Sequence, residues 1–225
     1  MTSEFDRFAR TYNKNLQDAM PAGLEDGEYF ASYKTEYVAN EMAGREVSRI
    51  LDFGCGAGRS LQHLATAFPR SELHGFDPSV ESIRIARKQY PLAKFSTDWS
   101  DVATFQYGLI LAANVFHHIE REQIPQWLSR CREVLTDNGD LFLFEHNPLN
   151  PITRRVFERC IFDQDAQMIA REDLEKWSRD AGLAIVVAKY TLFFPKPLRL
   201  LRPLERWLRW LPFGAQYCLR LKKKA

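Results

Sequence analysis

Asp52, Gly54, Gly56 and Gly58 occupy alternate positions in "ILDFGCGAGRS" (50–60), and Asp77 follows in "HGFDPS", 19 residues after Gly58. Glycines at this spacing let the chain turn tightly and let a ligand approach the backbone. A helix beginning directly after such a turn points free N–H groups at an anionic group. A carboxylate at the end of the next strand can accept hydrogen bonds from a ribose diol. Loop and carboxylate together describe a place for a nucleoside whose other end is small and carries a carboxylate. A triphosphate-cleaving loop is excluded, because no Lys completes GxxxxGK[ST]. The dinucleotide pattern GxGxxG fails too, since Arg59 stands where its last glycine would fall.

A second group of residues offers proton transfer. His117 and His118 lie in "NVFHHI", and Glu145, His146 and Asn147 lie in "FEHNP". Each group follows an apolar run that reads as a strand, so both reach the edge where the loop lies. Histidine takes a proton near neutral pH without a large shift, and Glu145 can hold a neighbouring imidazole in one tautomer. His118, His146 and Glu145 are therefore the candidate catalytic residues. Upstream, "EYFASYK" places Tyr29, Phe30, Tyr33 and Lys34 on an amphipathic stretch expected to lie as a lid over the site. Tyr29, Tyr33, Lys34, His117 and Asn147 are the candidate acceptor-binding residues.

The elements that must position these groups are legible as periodicity. "RILDF", "SELHGF", "AKFST", "YGLILAANVF" and "DLFLFEH" are short apolar or alternating runs. Between them, 59–68, 79–89 and 122–135 repeat apolar residues three and four apart. Strand and helix in alternation predict a parallel sheet covered on both faces, with ligand loops along one edge. A helix over 171–181 ended by Gly182 precedes two runs, "LAIVVAKYTLFF" and "AQYCLRLKK", that could close a hairpin. At 225 residues the chain is long enough for one substantial core. It is expected to be a single domain: a helical lid over 1–46, a core over 47–145, and an acceptor side over 146–225. Residues 195–213 form a basic amphipathic insert within that last part.

Charge is unevenly divided. From Pro195 onward there are nine Lys/Arg against one Glu, giving +8, so the preceding 194 residues sum to −6. An acidic body argues against a nucleic-acid partner, while a basic tail suits an anionic partner or surface. Within it, Leu200, Leu204, Trp207, Leu208 and Leu211 would share one helical face and Arg202, Arg206 and Arg209 another. Such a helix can lie on an anionic membrane surface, roof a pocket for a hydrophobic acceptor, pack on a partner subunit or simply cover the sheet, although Pro203 would delay its start. Cys55, Cys131, Cys160 and Cys218 are far apart with no CxxC, which fits a reducing compartment and no metal knuckle. "MTSEFDRFAR" carries charges where a signal peptide needs an apolar core. The expected setting is the cytoplasm, with peripheral contact on the inner face of the membrane through 198–211.

The chain resembles the class I S-adenosylmethionine-dependent methyltransferases, small-molecule branch (type 11/12), over roughly 45–145. "ILDFGCGAG" looks like the family's first motif, "LHGFDPS" its ribose-binding strand, and "STDWSDV" its adenine-contacting segment. "YGLILAANVFHHI" and "CREVLTDNGDLFLFE" are similar to its fourth strand and to its helix, turn and fifth strand. The resemblance implies a Rossmann-like three-layer α/β/α fold with seven strands, mostly parallel, the last antiparallel. It implies that Asp52 and Gly54–Gly58 hold the methionine end and Asp77, with Pro78, the ribose. Asp98 would reach the adenine amino group with Trp99 beside the ring, and Asn114 would lie near the amino acid group. S-adenosylhomocysteine would be the product. "FEHNPLNPITRRVFERCIFDQDA" resembles a subgroup associated with bacterial biosynthesis of polysaccharides, lipids or pigments.

Methyl transfer from a sulfonium is an in-line displacement that needs an aligned acceptor and, for a hydroxyl, a proton acceptor. The histidines favour O-methylation of a small or lipid-linked acceptor, phenolic hydroxyls included. Carbon methylation of an activated ring is the nearest alternative. A nucleic-acid methyltransferase is a third reading, opposed by "NPLNP", which lacks the aromatic that would stack a flipped base. A non-catalytic cofactor-binding partner protein is the fourth.

Overall fold

The computed structural model describes residues 27–160, 163 and 165–224. The expected helix before residue 27 and the charged N-terminus lie outside them. Helix α1 (Gly27–Glu41) leads into β1 (Arg49–Phe53), α2 (Arg59–Ala67), β2 (Glu72–Phe76) and α3 (Val80–Gln89). Next come β3 (Lys94–Ser96), the short α4 (Trp99–Val102), β4 (Tyr107–Ala113) and α5 (Ile124–Val134). β5 (Leu135–His146), α6 (Pro151–Phe157), α7 (Arg171–Asp180), β6 (Leu183–Thr191), α8 (Glu205–Leu208) and β7 (Gln216–Lys223) follow among the described residues.

Seven strands form one sheet in the order β3-β2-β1-β4-β5-β7-β6. β1 to β5 are parallel and β7 runs antiparallel between β5 and β6. The hairpin expected from the last two runs is therefore present, with Leu183 opposite Lys223 and Thr191 opposite Gln216. Successive side chains leave opposite faces of a strand, and each face has its own core. Leu51, Phe53, Ile110, Leu141 and Leu143 pack on one side; Ile50, Leu109, Leu111, Phe142 and Phe144 pack on the other. That is why these strands read as continuous apolar runs rather than alternating ones.

Local chemistry sets the helix ends. Ser79 accepts a hydrogen bond from Ser82 N at 3.1 Å to cap α3. Asn150 caps α6 through Thr153 N at 3.0 Å, with Pro151 at the first helical position. α7 ends before Gly182, whose φ of +78° continues no helix.

Two expectations change. The turn at Asn138–Gly139 does not precede β5 but lies inside it, where the register skips from Tyr107↔Leu135 to Leu109↔Asp140. The basic segment is not one amphipathic helix. Lys196–Leu204 is 3-10 in character and kinked at Leu198, and α-helical geometry covers only α8, just past Pro203. Proline removes an N–H and clashes one turn back, so the Leu/Trp and Arg residues do not form two clean faces.

Candidate active site

The sheet order reverses beside β1, whose neighbours β2 and β4 leave in opposite directions. At such a switch point the strand ends open a crevice. Here it is a cavity of about 1040 Å³ running from the glycine loop to the segments after β5 and β6.

The loop is pinned to β2: Gly54 N and Cys55 N both donate to Phe76 O, at 2.8 and 3.0 Å. Gly54 has φ +72°, and a Cβ there would stand 2.4 Å from Val115 Cγ2, so no other residue fits without displacing the β4 loop. Gly56 has φ +52°, and its missing Cβ would meet only open space; it lines the cavity. Asp77 holds this turn from below, accepting Gly56 N at 2.8 Å on one oxygen and Ser79 N at 2.9 Å on the other. Pro78 and Asn114 also line the cavity. Asn114 has φ +59°, and its buried Oδ1 finds no protein donor. Asp52 and Gly58 are not on the wall. Asp52 is buried at the end of β1, and its Oδ2 is likewise without a donor. Burial first, and then the Asp77 charge, raise its pKa to about 7, with Lys34 opposing.

Asp98 and Trp99, expected on the adenine side, are not among the residues that line the cavity. The Asp98 carboxylate is exposed and caps α4 by accepting Ser100 N at 2.8 Å. Trp99 packs against Phe53, Phe76 and Trp127. Of that cluster, Phe53, Phe76 and Trp127 line the cavity.

The histidines do converge. His117 Nδ1 lies 2.6 Å from Glu145 Oε2, while Glu145 Oε1 accepts Val115 N at 3.0 Å and Phe116 N at 2.7 Å. Glu145 is thus a buried brace for the turn Phe116–His118 rather than a cavity residue. His117, His118 and His146 all line the cavity, and the His146 ring centroid is 5.2 Å from that of His117. Burial alone would lower His117, but Glu145 and Asp163 raise its pKa to about 9. Burial and the His117 charge lower His118 to about 3 and His146 to about 4. One imidazolium is held between two carboxylates, next to two neutral rings.

Asp163 was not among the residues singled out in the sequence. It faces the histidines because Gln167 N donates to His117 O at 3.0 Å and Tyr217 OH donates to Ile169 O at 3.0 Å, docking that segment. Phe30, Val156, Phe157, Leu192 and Phe193 also line the cavity, together with Asn150 and Thr153. Tyr29 and Lys34 reach it from α1. Burial lowers the Lys34 pKa to about 8, against the opposing pull of Glu145. Gln216, also missed, lines the cavity with a buried Oε1 lacking a donor. Tyr33 and Asn147 do not line it. Tyr33 faces Leu192 and Glu205, and the Asn147 amide donates to Pro212 O and Gly214 O at 3.0 and 2.8 Å.

Residues 51–141 match the family model of a methyltransferase domain. The chain is 25% identical over 161 residues to demethylmenaquinone methyltransferase of Chlorobaculum parvum, covering 68% of this chain and 63% of that protein. It is 23% identical over 180 residues to O-methyltransferase cnsE of Penicillium expansum, covering 74% and 63%. The chain therefore spans just under two thirds of either relative's length. A crystal structure of a SAM dependent methyltransferase from Archaeoglobus fulgidus matches with a TM-score of 0.67 at 16% identity, over 88% of this chain and 95% of that one. At that identity the likeness is one of fold.

Proposed function

We propose that this chain, whose residues 51–141 are a methyltransferase domain, transfers a methyl group from S-adenosylmethionine to a hydroxyl of a small or lipid-linked acceptor. The residues present fit that cofactor. The buried Asp52 and Asn114 oxygens lack protein donors, which an ammonium would supply, and Gly56 leaves open space where a side chain would otherwise stand. Asp77, fixed by backbone donors, lines the cavity at the end of β2, where a carboxylate can accept from a ribose diol. When bound, S-adenosylmethionine presents a methyl group on a positively charged sulfur. Asp77→Ala is expected to weaken S-adenosylhomocysteine binding by ~1.5–3 kcal/mol, read by calorimetric titration; an unchanged affinity would remove Asp77 from the site.

One observation carries the choice of reaction: His146 lines the cavity edge-on to Phe157, with burial holding its imidazole pKa low. The apolar walls hold the acceptor and exclude water, and His146 takes the hydroxyl proton as the carbon–oxygen bond forms. That proton becomes strongly acidic only as the oxygen gains its new bond, so a weakly basic imidazole suffices. Glu145 keeps His117 in place through the 2.6 Å contact. A second reading follows from the relative named for demethylmenaquinone methylation: the acceptor atom is a ring carbon, and His146 takes the displaced ring proton. Turnover with methyl-13C cofactor separates the two, since product NMR tells a methoxy from a C-methyl group. Absence of label in any phenolic, quinol or lipid-linked acceptor would oppose both.

An amphipathic acceptor agrees with the surface next to the cavity. The segment after Phe193–Pro195 exposes Leu200, Trp207, Trp210 and Phe213 among Arg199 and Arg206. Among the described residues no helix is long and apolar enough to cross a membrane. Tryptophan and leucine among arginines instead suit the headgroup region of an anionic bilayer, on the cytoplasmic side in this reading. The protein is expected to co-sediment with phosphatidylglycerol vesicles and not with phosphatidylcholine alone, and Trp207→Ala/Trp210→Ala should reduce the bound fraction. Equal recovery in the supernatant with both lipids would oppose the contact.

A further inference from the structure

His117 Nε2 lies 3.4 Å, and His118 Nε2 3.5 Å, from the same oxygen, Asp163 Oδ1. These separations exceed the about 2.7–3.2 Å of an N–H···O hydrogen bond. They suit two ligand atoms that each lie about 2.0–2.2 Å from one ion. One ligand atom from each of the three residues lies within 4.8 Å of the other two, and all three residues line the cavity. Behind them, Glu145 Oε2 sits 2.6 Å from His117 Nδ1. A carboxylate gripping the far nitrogen of a histidine fixes its tautomer and aims the other nitrogen, as metal-ligating histidines require.

We propose that His117, His118 and Asp163 form a binding site for a borderline divalent transition metal of the Zn2+ class. Two imidazoles and one carboxylate give nitrogen and oxygen donors of the kind that prefers such an ion to Mg2+ or Ca2+. The ion replaces the Nε2 proton of His117 between the ring and Asp163. Three protein ligands leave a coordination position open, and all three residues line the cavity that His146 also lines. Resting on the methyl-transfer reading, that position would take the acceptor's oxygen, hold it toward the cofactor and lower the pKa of its hydroxyl.

The test uses Co2+ as a spectroscopic probe on the full chain stripped with chelator. One Co2+ per chain is expected, with the intense visible absorption of a four- or five-coordinate site, and Zn2+ should displace it. Asp163→Asn should weaken Co2+ binding by at least about 100-fold, and Glu145→Gln by about 10–100-fold. S-adenosylhomocysteine affinity, measured on the same samples, should be kept and reports that the variants are folded. No stoichiometric Co2+ binding, or binding unmoved by Asp163→Asn in a folded variant, would overturn the site. Full methyl transfer by metal-stripped enzyme would overturn the metal's role in catalysis while sparing the methyl-transfer reading. Co2+ bound at these residues without methyl transfer would spare the site and remove the reaction.

Discussion

His146→Gln is expected to lower methyl-transfer turnover by about 10²–10⁴-fold while S-adenosylhomocysteine affinity stays within about twofold of the parent. The loss corresponds to about 2.7–5.5 kcal/mol of transition-state stabilisation. Three features of the site place the effect on turnover rather than on binding. His146 closes β5 at the cavity wall. It is edge-on to His117 and Phe157, at 5.2 and 5.7 Å between centroids. It is also neutral, because burial and then the His117 charge lower its pKa.

Glutamine keeps the volume and a hydrogen-bonding tip but cannot take a proton. The measurement is single-turnover transfer of labelled methyl at saturating cofactor, beside a calorimetric titration with S-adenosylhomocysteine. A parallel loss of both quantities would assign His146 a packing role and send the search for the proton acceptor elsewhere. Turnover at the parent rate would remove His146 from the reaction altogether.

What the sequence discloses about this molecule depends on the range of the interactions involved. The glycine loop, Asp77 and the first five strands are local patterns. Their periodicity and turn residues survive into the fold because both sheet faces are covered, so each strand had to read as apolar. The local role of Asp98 was equally legible: two residues before Ser100, it caps its own helix. Asn147 follows His146 and was read as an acceptor-binding residue. Consecutive side chains on an extended segment point to opposite sides, and Asn147 turns away to hold 212–214. Asp163 was illegible because nothing near it in sequence names its partners. Its place is set by contacts from Gln167 to His117 and from Tyr217 to Ile169, which only the folded chain brings together. Pro203 was legible as a delayed helix start, and α8 does begin just past it; the 3-10 segment before it, kinked at Leu198, did not follow from the residues alone.

Asp52→Asn is expected to stabilise the cofactor-free protein at pH 8 by up to about 4 kcal/mol, at about 1.36 kcal/mol per pKa unit, and to leave it unchanged near pH 4. In the unfolded chain Asp52 ionises close to its ordinary value of 3.8, whereas in the fold it keeps its proton to about 7. Between those values the native state binds one more proton than the unfolded chain, so stability falls as pH rises through this window. Above it the cost of the buried charge is complete. Lys34 titrates higher, with its folded pKa near 8 below its ordinary 10.5; its contribution therefore lies above the Asp52 window and of opposite slope. Urea titrations of parent and variant from pH 4 to 8 give the comparison, and parallel profiles would show that Asp52 ionises normally in the fold. The same carboxylate should make the opposite contribution once the cofactor binds. Its Oδ2 has no protein donor, so a cationic ammonium favours the ionised form, and binding near pH 6.5 should release a proton. Titration with S-adenosylhomocysteine in buffers of different ionisation enthalpy measures that release, which Asp52→Asn should abolish together with part of the affinity. A loss of both the proton release and affinity in Asp52→Asn would place this buried acid, which does not itself line the cavity, at the cofactor site.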